Sequence, residues 1–436
     1  MGFCLLDTLY KWGMNLSAPA LRGLLQSRVK RGKEEAFRLN ERMGEPSMPR
    51  PHGPLIWLHA ASVGESLSAL ILIDALLKAY PGLHLLVTTG TRTSADLMAK
   101  RLPKRAFHQY IPLDHPGWVN NFLNHWTPDA ALWMESELWP NTLREIKNRA
   151  IPAALINARL SDRSFSRWMR ARRLAGKILA SFQLILTQSD SDKERFEELG
   201  ARHVLTSDNL KYSAPPLPFD ERDLNDLLKA IDGRPVWLYA STHDGEEELA
   251  THLQNRLKQD HPGLLTIIVP RHPERSADIK QAVIAAGAIP LRRTETKKLP
   301  TQDTEIYIAD TMGEMGLFYR AVSIAMVGRS FSKDGGGGHN LIEPAQLDCA
   351  VLTGPNVQFQ KHILNDMLED DAILQLQSES DLEETLRKLL DDPAYLSEQK
   401  NKAARFARKK QNIIGFVMEN LKPVLSAIPT LNDRAA

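Results

Sequence analysis

Short apolar runs alternate along the chain with longer stretches in which apolar positions recur every three or four residues. In the first half the short runs predict strands over 55–60, 83–89, 106–111, 130–134, 153–157 and 182–187. Between them the longer period predicts helices over 66–80, 93–101, 116–125, 139–149, 163–180 and 190–199. The rhythm stops near residue 211, where Ser213-Ala214-Pro215-Pro216-Leu217-Pro218 can continue neither a helix nor a central strand. It then restarts, with strands predicted over 236–240, 265–269, 305–308, 324–327 and 350–352. Helices are predicted over 246–259, 274–286, 314–321, 341–347, 380–390 and 394–410, and a last one over 413–421 that returns to the first domain. Alternating strands and helices give parallel, doubly wound sheets. Two such domains joined by a short linker face a cleft, and ligands bind at the carboxyl ends of the strands.

Length and composition agree with this division. At 436 residues the chain is too long for one ordinary core, and two domains of about 200 residues each are expected. A hydrophobic content of 43% with 25% charged residues is that of a soluble globular enzyme. The net charge of +2 gives no footprint for wholesale nucleic-acid binding. Cys4 and Cys349 are far apart, which makes neither a disulfide framework nor a zinc site and suits a reducing compartment.

The first 40 residues form a segment of their own. Leu5, Leu6, Leu9, Trp12, Leu16, Leu21, Leu24 and Leu25 make a broken apolar stripe beside Lys11, Arg22, Arg28, Lys30, Arg31 and Lys33, against the single acid Asp7 over the first 33 residues. The longest uncharged run, 12–21, is ten residues, whereas a spanning helix needs about 20. No small-residue cleavage site follows an apolar core, and Leu6 stands where an acylation motif on Gly2 wants Ser or Thr. Two readings stay open: a basic amphipathic stretch lying on an anionic membrane surface, or a helix packed on the protein itself. The expected division is therefore 1–40, 41–212, 213–410 and 411–436.

The loops after the strands carry the candidate chemistry. Gly335-Gly336-Gly337-Gly338-His339-Asn340-Leu341-Ile342-Glu343-Pro344 leaves a strand and enters a helix. Backbone without Cβ atoms can approach a ligand, free helix N–H groups can meet an anion, and Glu343 can take the hydroxyls of a ribose. His59-Ala60-Ala61-Ser62-Val63-Gly64-Glu65 puts a carboxylate at a helix start, as a base for an acceptor hydroxyl or as a partner of the helix dipole. Trp133-Met134-Glu135-Ser136-Glu137-Leu138-Trp139-Pro140 boxes two carboxylates between tryptophans, with Pro140 suited to the first turn of a helix. Arg159 and Arg163 can face an anion, as can Arg271 in Val269-Pro270-Arg271-His272-Pro273-Glu274-Arg275. Asp310-Thr311-Met312-Gly313-Glu314 opens a helix whose N–H groups suit a phosphate or are simply capped. Asp190-Ser191-Asp192 has the spacing of a metal-dependent sugar transferase but follows Thr187-Gln188-Ser189 and reads as a helix cap. No metal motif and no phosphate-binding loop of the G-x-x-x-x-G-K-[ST] type is present.

Taken together, His59 to Glu65, Met134 to Asn141, Asn157 to Ser161, Pro270 to Arg275, Met312 to Glu314 and Gly338 to Pro344 resemble, in the same order, the motifs of the bacterial 3-deoxy-D-manno-octulosonic acid (Kdo) transferases. The resemblance covers nearly the whole chain. It implies a GT-B fold: two doubly wound, Rossmann-like domains facing a central cleft. It further implies an inverting transfer from CMP-Kdo to a lipid A precursor, lipid IVA, on the cytoplasmic leaflet of the inner membrane, with no metal or other cofactor. Glu65 matches the family's proposed general base, and Glu135 and Lys211 match positions assigned to transition-state stabilisation. Pro270, Arg271, Met312, Gly313, Glu314, Asn340, Leu341, Ile342 and Glu343 match its CMP-holding segments. The chain departs from the family in its interrupted N-terminal anchor, its longer glycine run, and the absence of a glycine in Thr206-Ser207-Asp208-Asn209 before Lys211. A GT-B transferase using another nucleotide sugar, and a non-catalytic nucleotide-sugar-binding protein, are the alternatives. A preference for CMP separates the first, and loss of turnover in Glu65→Ala the second.

Overall fold

The strand pattern follows burial. In a computed structural model describing residues 5–231, 233–296, 299–426 and 428, the chain divides into two units, Met1–Ala214 with Gln411–Ala436, and Pro215–Lys410. Gly2, Cys4 and most of the tail after 426 lie outside the described residues.

The first unit is built on β1 (Leu55–His59), β2 (His84–Thr89), β3 (Ala106–Tyr110), β4 (Ala130–Met134), β5 (Ala153–Ala158), β6 (Leu184–Thr187) and β7 (Val204–Thr206). All pairs are parallel, in the order β3-β2-β1-β4-β5-β6-β7. Every residue of β1, β4 and β5 is buried, which is why these strands read as continuous apolar runs rather than alternating ones. Trp57 packs on Phe122 and Trp133 at ring separations of 4.6 and 4.7 Å. The chain leaves β1 toward β2 and β3 on one side and resumes at β4 on the other, so the sheet switches direction between β1 and β4.

The second unit repeats the plan with β8 (Val236–Thr242), β9 (Leu265–Pro270), β10 (Pro290–Arg292), β11 (Ile306–Ile308), β12 (Ile324–Val327), β13 (Ala350–Thr353) and β14 (Leu374–Gln375). The order β10-β11-β9-β8-β12-β13-β14 is again all parallel, with its switch between β8 and β12.

Several elements differ from the sequence expectation. Strands β7, β10 and β14 have two or three residues each, too few to show a period. Helices Glu221–Ala230 and Lys361–Glu369 and the 3-10 segment Ala36–Met43 were not anticipated. The single helix expected over 163–180 is two, Asp162–Met169 and Arg172–Leu179. A straight helix would carry the stripe of Phe165, Trp168 and Met169 on through Arg172; the break at Ala171 releases Arg172, whose Nε donates to Glu198 O at 2.7 Å.

Helix Ile413–Leu425 packs on helix Val63–Ala79, β5 and β6. At the other end, helices Leu5–Leu16 and Ala18–Lys30 divide the apolar stripe. Leu25 is buried, while Leu9, Trp12, Leu16 and Leu24 face outward, Trp12 with 66% and Leu16 with 79% of its surface exposed. Tyr10 Oη anchors the first helix by donating to Asp114 Oδ2 at 3.0 Å. Among the described residues no helix is long and apolar enough to cross a membrane.

Candidate active site

In the first unit the candidate residues gather at the switch between β1 and β4. Ser62 caps helix Val63–Ala79, accepting from Glu65 N at 3.3 Å and donating to Glu65 Oε1 at 2.9 Å. Ala61 N donates to Glu65 Oε2 at 2.8 Å. Glu65 is thus a capping residue, yet only 7% of its surface is exposed. Burial, joined by the nearby Glu135 carboxylate, outweighs those two bonds and raises its pKa to about 7.

Glu135 follows β4 directly, in a left-handed conformation (φ 56°) that a non-glycine residue rarely adopts; Glu135 N donates to Ile156 O at 3.0 Å. Burial raises its pKa too, opposed by the charges of Arg159 and Lys211. A Cβ placed on Gly64 would lie 3.8 Å from Lys211 Nζ, so the ammonium stands beside the turn that presents Glu65. The site therefore joins two carboxylates and two cations drawn from four strand ends. Burial also raises the pKa of Glu137, whose backbone carbonyl accepts from Trp133 Nε1 at 2.6 Å. Arg163 is exposed near the start of its helix. Asp192 accepts from Leu160 N at 2.8 Å and from Ser189 Oγ at 2.7 Å, so the Asp-x-Asp pair closes a helix start.

Asn157, Gln188 and Asn209 stand in the sequence motifs without an expected role, and they hold the segment that carries Lys211. Asn157, itself left-handed at φ 56°, accepts Leu210 N at 2.9 Å, and its carbonyl accepts from Gln188 Nε2 at the same distance. Asn209 Nδ2 reaches Gln188 Oε1 at 3.2 Å, and Asn209 Oδ1 accepts Lys211 N at 3.1 Å. The signal was an amide at three successive strand ends.

In the second unit, Pro270 ends β9, and Arg271 N donates to Thr242 O at 3.0 Å, which fixes the backbone from which the guanidinium extends. Met312 is 72% exposed. Gly313 is left-handed (φ 84°), and the helix begins at Met315, two residues after the glycine expected to open it. Arg293 takes the Glu314 carboxylate with two contacts of 2.8 Å; against the upward pull of burial, this pairing and Thr311 hold the pKa of Glu314 below the usual value.

The glycine run is packed from Gly336 to Gly338, while Gly335 stands in open space. A Cβ at Gly337 would strike the Phe359 ring, and one at Gly338 would stand 2.7 Å from Val357 Cγ1. The helix beyond it, Ile342–Gln346, has five residues, and its first N–H is taken by Asn340 Oδ1 at 3.0 Å. Asn340 Nδ2 donates to Glu343 Oε1 at 3.0 Å, while burial raises the pKa of Glu343. The side chains of Leu341 and Ile342 are buried, so these residues can offer a ligand only backbone.

Two parallel doubly wound sheets with polar loops at their strand ends define the GT-B fold. A glycosyltransferase from Rickettsia africae superposes with a TM-score of 0.53 at 12% identity, covering 87% of this chain and 100% of that one. The family model described as 3-deoxy-D-manno-octulosonic-acid transferase (kdotransferase) matches residues 37–214. The 3-deoxy-D-manno-octulosonic acid transferase of Rickettsia bellii is 34% identical over 391 residues, 90% of each chain. That of Haemophilus influenzae is 32% identical over 417 residues, 92% of this chain and 94% of its own. The chain belongs to the Kdo transferase family.

Proposed function

We propose that this enzyme transfers Kdo from CMP-Kdo to the lipid A precursor lipid IVA, inverting the anomeric centre, in lipopolysaccharide biosynthesis. The observation that carries the reading is Glu65, a buried carboxylate at the β1–β4 switch with a pKa near 7, poised between holding and releasing a proton at neutral pH. Glu65 takes the proton of the acceptor hydroxyl as that oxygen bonds to the anomeric carbon of Kdo. The bond from that carbon to the phosphate oxygen breaks, and its electron pair leaves with CMP. Glu135 and Lys211 stabilise the transition state, Lys211 supplying the cation that the Kdo carboxylate calls for. Pro270, Arg271, Met312 to Glu314 and Asn340 to Glu343 hold CMP, with Leu341 and Ile342 acting through their backbone. The reaction in this reading uses no metal. The outward face of Leu9, Trp12, Leu16 and Leu24, with its basic neighbours, seats the enzyme on the anionic cytoplasmic leaflet of the inner membrane, where the acceptor lies.

The test is a transfer assay with purified protein, tetraacylated lipid A precursor, Kdo, CTP and a CMP-Kdo-forming enzyme, read by mass spectrometry. The expected result is a mass gain of one or more Kdo units, lost in Glu65→Ala with CMP binding intact. No gain from a folded, CMP-binding protein overturns the acceptor assignment.

A further inference from the structure

Resting on the reading of the second unit as the CMP site, we propose that His243 and His339 form a proton-accepting pair that binds a proton together with the phosphate of CMP. His243 follows β8 and His339 lies in the loop after β12, so the pair stands at the switch point of the second sheet. The rings stack at 5.2 Å with 30° between their planes, and the two Nε2 atoms are 3.0 Å apart. That separation requires one proton between them. His243 Nδ1 lies 3.2 Å from Asp334 Oδ2, so its proton is on Nδ1 and its Nε2 accepts. His339 then donates from Nε2, which leaves a lone pair on its Nδ1. One added proton turns this end of the chain into a donor and charges the pair.

The surroundings keep the resting pair neutral. Burial first, then His243 itself, Arg271 and Arg329, lower the pKa of His339 to about 4, against Asp334. Burial, Arg329 and His272 lower that of His243, against Asp334 and Glu246. His272 is itself paired with Glu274 at 3.3 Å. An arriving phosphate opposes these cations and shifts the balance toward protonation. The geometry is held in advance by Glu246, a fully buried carboxylate that accepts His243 N, Arg329 N, Ser330 N and Phe331 N at 2.8–2.9 Å. Gly338 N, donating to Arg329 O at 3.0 Å, fixes the residue before His339.

The experiment is titration calorimetry of the full chain with CMP and with cytidine, in buffers of different ionisation enthalpy. Wild type should take up close to one proton with CMP, and its affinity for CMP should weaken as pH rises above about 7, approaching tenfold per unit; cytidine should show neither effect. His339→Gln and His243→Gln should abolish the uptake and bring CMP affinity toward that of cytidine. Asp334→Asn, on an exposed loop, should reduce the uptake and guards against misfolding of the histidine variants. Equal proton uptake and affinity for CMP in wild type and both histidine variants would overturn the proposal while leaving the CMP site standing. Binding of neither CMP nor cytidine by wild type would overturn the CMP reading and the proposal with it.

Discussion

Each unit sets a glutamate at the start of the helix that follows its first strand, and the two carboxylates meet different fates. Glu246 is wholly buried and receives four backbone N–H groups, three of them from the far side of the switch point. Glu65 is nearly as buried but receives one N–H and one hydroxyl, with Glu135 close by. A carboxylate saturated by fixed donors is a latch. One that is buried with too few donors and a like charge beside it holds its proton loosely near neutrality, as a base requires. Topology places both groups; the count of donors separates their chemistry.

The largest test of this contrast is the rate. Glu65→Gln should slow transfer by about 100- to 10,000-fold, measured as initial velocity with saturating donor; an unchanged rate would end the assignment of Glu65 as base. Next comes the latch. Glu246→Ala leaves four N–H groups, one buried and three partly buried, without their acceptor and should destabilise the second unit by about 3 kcal/mol or more, read from urea unfolding.

The pH dependence of stability sharpens the same comparison. Because the pKa of Glu65 is raised in the fold, the folded state holds the proton more tightly than the unfolded one, and stability declines as pH rises from the unfolded pKa through about 7. Relative to wild type, Glu65→Gln should therefore gain up to about 3 kcal/mol at pH 8, a difference that vanishes near pH 4 in paired denaturation curves. Transfer by wild type should rise about tenfold per pH unit below about 7 and level off above it, a profile absent in the variant. The smallest expected effect is at Asn157. Its replacement by Ala removes the acceptor of Leu210 N from a left-handed position and should lower stability by about 2 kcal/mol; a matching loss of transfer would tie that amide to Lys211.

Much of this was legible in the chain before any coordinates. Strand ends repeat the same local event, a buried apolar run broken by a polar turn, and Glu65, Glu135, Pro270 and Arg271 all lie at such breaks. His243 was not singled out, because its importance lies in a partner 96 positions away. The glycine run was read as backbone free to approach a ligand, since nothing local says that Val357 and Phe359 close on Gly338 and Gly337.

By itself the sequence determined the two alternating halves, the Pro-rich break between them and the family. Those depend on local periodicity and on motifs that are contiguous in the chain. Only the tertiary structure decided which strands flank each switch point, that Glu65 keeps its carboxylate among two donors and a second carboxylate, and that Asp334, His243 and His339 line up. A pKa is set by desolvation and by the groups within a few ångströms, and those neighbours are chosen by the packing of distant segments rather than by sequence order.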